Sequence, residues 1–111
     1  MVTPTLAQEI SQLQADFCSA LADPTRILIL YTLDEAARNV TEICAELDLP
    51  QPTASRHLKI LRERGLVGTV RQGTTVTYSL ADHRLIEALD LLRSVMRDRY
   101  THRASLMEEA S

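Results

Sequence analysis

Between Gln51 and Arg62 the chain places short hydrogen-bonding side chains first and cations after them: Gln51, Thr53 and Ser55, then Arg56, Lys59 and Arg62. Wound into a helix, these residues share one arc, while Ala54, Leu58 and Leu61 share the opposite one and should pack inward. Such an arc suits the major groove of a DNA duplex. Side chains at the helix start reach base edges, and arginine and lysine further along neutralise phosphates. Further on, Arg71, Gln72, Thr74 and Thr75 gather near a second candidate contact, where Arg71 would enter a minor groove or hold a phosphate. His57 lies between the inward and outward arcs, so phosphate contact and bracing of the helix both stay open for it.

Other groups are suited to sensing. Cys18 and Cys44 could bind arsenite, become persulfidated or join in a disulfide. A disulfide requires Cα atoms within about 7 Å of each other. Cys18 lies beside an apolar stripe and reads as a small buried hydrophobe. Cys44, between Ile43 and Ala45, is expected to be partly exposed. Asp98 and His102 are four apart on one helical face, and Asp82 and His83 could approach them from a partner subunit. Together they would offer imidazole and carboxylate ligands suited to zinc or nickel. The preferred reading of this group is a surface histidine beside a salt-bridged aspartate, since i,i+4 polar pairs are common on exposed helices.

Charge separates the DNA reading from a solvated helix face that is merely basic. The 111 residues carry a net −3. Residues 1–50 hold two arginines against eight acids, for −6. Residues 51–80 hold five cations against Glu63 alone, for +4. Residues 81–111 hold five arginines against six acids, for −1. An acidic protein thus holds one basic island, and it coincides with the candidate recognition arc. Hydrophobic residues at 45% and charged residues at 24% are those of a soluble globular domain. No stretch approaches the roughly 18 apolar residues of a spanning helix. The first residues lack the basic-then-apolar pattern of a signal peptide. The expectation is a cytoplasmic protein, not associated with a membrane, whose two cysteines form no disulfide framework.

The elements that must position these groups are mostly helical. Thr3-Pro4 starts a long first helix with Leu6, Ile10, Leu13, Phe17 and Leu21 on one stripe. Asp23-Pro24 starts a second, central helix over Ile27, Leu28, Leu30, Tyr31 and Leu33. Residues 35–39 read as a connection, and Thr41 caps a short third helix with Ile43 and Leu47. A fourth helix runs from about Gln51 to Arg64 and is ended by Gly65 in a left-handed conformation. The period then changes to alternation over residues 67–71 and 75–80, a two-stranded hairpin turning at Gln72-Gly73, with Tyr78 as a cross-strand packing residue. Asp82 caps a long last helix with Leu85, Ile86, Leu89, Leu92 and Met96 along its seam. A short helix, a turn with proline and glutamine, and a second helix make a helix-turn-helix, and the hairpin makes its wing.

Leu21-Ala22-Asp23-Pro24-Thr25-Arg26, Leu47-Asp48-Leu49, residues 51–61 from Gln51 to Leu61, and Gly65-Leu66-Val67 fall in the order and spacing of the ArsR/SmtB family of winged-helix regulators, which this chain resembles over about residues 10–100. Arg71-Gln72-Gly73 and Tyr78-Ser79-Leu80 fit that family's wing. The resemblance implies a dimeric repressor that pairs through its first and last helices and leaves operator DNA when a metal, metalloid or thiol-reactive signal binds. The apolar stripes on residues 6–21 and 85–96 agree with that pairing. The sensing sites usual in the family are broken here. Asn39 and Thr41 stand where metalloid sensors carry a Cys-x-Cys pair, although Cys44 matches a third cysteine of some arsenic sensors. Asp82 matches the first zinc ligand, but Arg84 replaces the histidine, and Val95 and Asp98 fill the downstream positions. A guanidinium cannot ligate zinc.

The expected molecule is therefore an α+β, mostly α, winged helix-turn-helix. Residues 1–111 form one domain, with five helices, a two-stranded wing and dimerisation helices at both ends. The expected function is repression of transcription by a homodimer on double-stranded DNA. Gln51, Thr53, Ser55, Arg56, His57, Lys59, Arg62, Arg71 and Thr74 form the DNA-binding set, and Cys18 and Cys44 take a thiol-directed signal such as arsenite, oxidant or reactive sulfur. The alternatives are zinc or nickel sensing through the last helix, no small effector at all, or a protein-interaction module without specific DNA binding. No cofactor is expected beyond arsenite or a divalent metal as effector. Without a glycine-rich phosphate loop, a nucleophile elbow or HExxH, an enzyme is not expected.

Overall fold

The computed structural model describes residues 1–110. Helix α1 spans Pro4–Leu13, and the Thr3 hydroxyl accepts the Leu6 N–H at 3.1 Å as its cap. The expected continuous helix to Leu21 breaks here. Residues Gln14–Cys18 form a π turn, in which the Ser19 N–H reaches five residues back to the Gln14 carbonyl at 3.0 Å. The chain then tightens into a 3₁₀ turn at Ala20–Ala22. Helix α2, Pro24–Glu35, starts where Asp23 accepts the Thr25 N–H at 2.8 Å.

Helix α3, Val40–Leu47, is capped by Asn39 rather than Thr41. Asn39 Oδ1 accepts the Glu42 N–H at 2.9 Å, and Glu42 Oε1 accepts the Asn39 N–H at 3.0 Å. This reciprocal box satisfies two orphan amides, and it needs a glutamate or glutamine three residues past the cap. Thr41 has Cys44 at that offset and lies inside the first turn, exposed. Asp48, at φ 53°, ends α3. Helix α4, Gln51–Glu63, ends at Gly65 with φ +78°, and the Leu66 N–H closes back on the Leu61 carbonyl at 2.9 Å. That is the Schellman closure expected of a glycine there.

The hairpin is present, and a third strand joins it. Strand β2, Val67–Gln72, pairs antiparallel with β3, Thr75–Leu80, in the register Val67↔Leu80 to Gln72↔Thr75. Strand β1, Arg38–Asn39, lies within the segment expected to be only a connection and pairs Arg38↔Tyr78 and Asn39↔Thr77, giving the order β1-β3-β2. Two residues are too few to show a period, but they cover the edge of β3. Helix α5, Arg84–Ala110, completes the chain, with the Asp82 carboxylate accepting the Arg84 N–H at 2.9 Å. Among the described residues no helix is long and apolar enough to cross a membrane.

One core holds these elements. Ile29, Leu30 and Leu33 of α2, Ile43 of α3, Leu58 and Leu61 of α4, Leu66, Val67, and Ile86 and Leu89 of α5 are buried together. The two terminal helices extend away from it. No residue of α1 is buried, and Leu6, Ile10 and Leu13 are exposed. On α5, Leu91, Leu92, Val95, Met96 and Tyr100 are exposed beyond the buried Ile86 and Leu89. The radius of gyration is 17.6 Å, against about 13 Å for a compact chain of this length. Truncating Leu58 to alanine removes a fully buried side chain from the centre of this core and is expected to cost about 2–5 kcal/mol. Urea unfolding followed by circular dichroism checks it. A loss below about 1 kcal/mol would show that the core does not depend on α4.

Candidate nucleic-acid interface

The inner face of α4 is closed. Ala54, Leu58 and Leu61 are fully buried, and His57 is nearly so. The opposite face is open. Gln51, Ser55, Arg56, Lys59 and Arg62 are exposed, and Thr53 is half-buried at the boundary. Pro52, in the first turn of α4, lacks an N–H where helix amides have no internal partner in any case. Beside this face stands the hairpin, whose tip Arg71, Gln72, Gly73, Thr74 and Thr75 is exposed. Gly73 holds φ +64° at the first position of the two-residue turn between Gln72 and Thr75, a conformation that favours glycine. A groove of about 330 Å³ runs between the two, lined by Thr41, Gln51, Thr74, Thr75 and Tyr78 among others.

The arginines divide into two groups by what they hold. Arg26, Arg38, Arg64, Arg84 and Arg93 each reach a carbonyl or carboxylate of the chain. Among the described residues, Arg56, Lys59, Arg62 and Arg71 make no ion pair and no side-chain hydrogen bond, so four of the island's five cations are free for a ligand. The fifth, Arg64, turns back to the Ala15 carbonyl at 2.7 Å. This engagement carried no sequence signal, because its carbonyl partner is 49 residues away.

His57 is the residue of the expected DNA-binding set that the fold turns inward. It is 7% exposed, and its Nδ1 lies 3.3 Å from Arg26 Nη1. Arg26 in turn donates through Nε to the Ala20 carbonyl at 2.6 Å. Of its two open readings, bracing is the one this burial accommodates.

The thiols differ from expectation in one case. Cys44 is half-buried, as anticipated, whereas Cys18 is exposed rather than buried. The wider π turn carries Cys18 off the stripe that Phe17 and Leu21 continue toward the core. Both thiols are free.

The candidate metal ligands are not assembled within one chain. Arg84 grips Asp82 through Nη2 at 2.7 Å and Nε at 3.1 Å. These hydrogen bonds, with the Arg84 amide, hold the Asp82 carboxyl down at about 2. His83 Nδ1 is 2.8 Å from Asp34 Oδ1. Asp98 and His102 are exposed on α5. Among the described residues no three His, Cys, Asp or Glu side chains are grouped to hold a metal ion.

Residues 23–69 match the family model described as bacterial regulatory protein, arsR family. The HTH-type transcriptional regulator Rv0081 of Mycobacterium tuberculosis is 32% identical over 104 residues, which cover 93% of this chain and 91% of that protein. The chain belongs to the arsR family. The matched segment of this arsR-family chain runs from the cap of α2 through α4 into β2 and so contains the whole helix-turn-helix. The HTH-type transcriptional repressor SmtB of M. tuberculosis is 45% identical over 78 residues, 70% of this chain, and the match spans 58% of that repressor's length. The crystal structure of Rv0081 superposes with a TM-score of 0.76 over 93% of this chain and 99% of its own. The solution structure of the homodimeric winged helix-turn-helix DNA-binding domain Mb0332 from Mycobacterium bovis, 29% identical, superposes with a TM-score of 0.77 over 91% of this chain and 93% of its own.

The Asp82–Arg84 pair gives a direct test of the occupied position. Replacing Arg84 with alanine removes the largest cause of the depression but keeps the backbone amide bond, so the Asp82 carboxyl should rise from about 2 toward, but not up to, the ordinary 3.8. Carboxyl-carbon NMR titration reads this. In the native protein the pair's contribution is present above the unfolded value near 3.8 and fades as pH falls toward about 2. A native midpoint already near 3.8 would show that Arg84 does not hold Asp82.

Proposed function

We propose that this chain is a dimeric, DNA-binding repressor of transcription that leaves its operator on a thiol-directed signal. The observation that carries the DNA reading is the free outer face of α4, with three cations unpaired among the described residues and three short hydrogen-bonders opposite a fully packed inner face, and a fourth unpaired cation, Arg71, on the wing beside it. Gln51, Thr53, Ser55 and Arg56 border the bases. Lys59, Arg62 and, from the wing, Arg71 hold the backbone, and Thr74 adds a hydrogen bond at the wing tip. SmtB of M. tuberculosis is named a repressor, and Mb0332 is described as homodimeric, in line with this reading. The exposed apolar residues of α1 and α5 supply the surface for a second copy. Two recognition helices then meet half-sites about one helical turn apart, and a signal acts by changing their spacing. Such a protein works in the cytoplasm, where the DNA is.

Cys18 and Cys44 are the signal-taking groups in this reading. The exposed Cys18 is the more accessible to oxidant, arsenite or reactive sulfur. Binding is measured by fluorescence anisotropy on a fragment of the gene's own promoter. Affinity should fall steeply with salt, since each phosphate neutralised releases counterions. Arg56→Ala should weaken specific binding by about 1–3 kcal/mol. An unchanged affinity would mean that the recognition face is misplaced, and salt-independent or absent binding would leave the interaction-module reading. Arsenite, peroxide or polysulfide should release the DNA, and Cys18→Ser or Cys44→Ser should prevent it. Release by zinc or nickel that survives both substitutions would move the sensor to His83, Asp98 and His102.

A further inference from the structure

A π turn leaves a carbonyl without its helical donor. In a regular helix the Ser19 N–H would bond to the Ala15 carbonyl, four residues back. Here it bonds instead to Gln14, and Ala15 is released. Two side chains take up that oxygen, the Ser19 hydroxyl at 2.6 Å and the Arg64 guanidinium at 2.7 Å. Arg64 is the residue that closes α4, directly before Gly65, and Asp16 of the same π turn stands 3.8 Å from it. Halfway along the same helix, His57 meets Arg26, which is anchored on the Ala20 carbonyl. The middle and the end of α4 are thus both tied, through arginines, to carbonyls of the irregular stretch 14–22 that joins α1 to α2.

We infer that Arg64 is a positioning residue for DNA recognition. Its bond to the carbonyl released by the π turn sets the angle of the recognition helix against α1 and so sets the half-site spacing that a dimer accepts. The inference rests on the dimeric DNA-binding reading above. Arg64 is exposed, but its guanidinium is engaged by the chain's own Ala15 carbonyl, unlike the four cations of the island that are free among the described residues. Its neighbour Glu63 and its partner Asp16 both carry negative charge, which makes a phosphate an unfavourable occupant of the same place. A guanidinium bonded to a neutral carbonyl and near a carboxylate is well satisfied without DNA. Irregular helical turns of this kind recur at functional sites.

The test uses the full chain and duplexes that the wild-type protein selects from a random pool. Three probes follow from the selected sequence: two inverted half-sites at the selected spacing, the same pair one base pair further apart, and a single half-site. One added base pair turns the second half-site by about a tenth of a helical turn. Two variants are compared with wild type. Arg64→Ala removes the tie. Deletion of Gln14 takes out the extra residue of the π turn and lets the helix run regularly, so that the carbonyl is no longer free, with no change to the outer face of α4.

The wild-type protein is expected to prefer the selected spacing by about tenfold, and both variants to lose most of that preference. Their affinity for the single half-site and the slope of affinity against salt should stay as in wild type. If Arg64→Ala instead weakens all three duplexes alike and lowers the salt slope by about one, Arg64 is a phosphate contact and the inference is overturned. An unchanged spacing preference in either variant overturns it as well. Failure of the wild-type protein to bind any duplex is a different result, visible without a variant, and it removes the DNA reading itself.

Discussion

The small core beneath α4 is the constraint on which the rest of the molecule depends. Leu58 and Leu61 bury with Ile29, Leu30, Leu33, Ile43 and Leu66, and Ala54 is buried on the same face of the helix. Once they do, the outer residues are fixed in direction by helical period alone. A recognition surface of flexible cations needs such a rigid support, since an arginine or lysine confined on binding loses substantial rotamer freedom. The sheet serves the same support. Tyr78 packs its half-buried ring against the core from β3, while the far end of the hairpin stays free.

Much of this was legible in the residues. Leu58 and Leu61 three apart, with Ala54 four before Leu58, defined the inner face of α4, and the change of period after Gly65 defined the hairpin. The missed features are those with a weak or nonlocal signal. Strand β1 is two residues long, and its pairing depends on β3 some 40 residues later. The stripe of α1 held a hint of the π turn. Leu13, Phe17 and Leu21 follow at two successive fours, which run ahead of a 3.6 period, and a five-residue turn absorbs part of the excess. The cap of α3 was misplaced because threonine and asparagine both cap well, and only the acid at the third position separates them.

The site was less legible than the fold. Which cations are free and which are spent cannot be read from a list of arginines, since Arg64 and Arg56 have the same chemistry and opposite roles. The difference arises from which neighbour each meets: the Ala15 carbonyl for one, and none among the described residues for the other. The same holds for Asp82 and His83. Their types and spacing suit a metal, yet each is already engaged, by Arg84 and Asp34 respectively. Charge neutralised inside a chain does not attract a ligand from outside.

The uncovered apolar residues of α1 and α5 carry a consequence for dosage. Leu6, Ile10 and Leu13 on one helix and Leu92, Val95 and Met96 on the other are exposed in the single chain. In the dimer proposed above, pairing is therefore governed by mass action. At low abundance the amount of paired protein rises as the square of the amount of chain, so operator occupancy has a threshold set by how much protein the cell makes. A modest change in synthesis or degradation would then move the promoter between open and closed states with no effector involved.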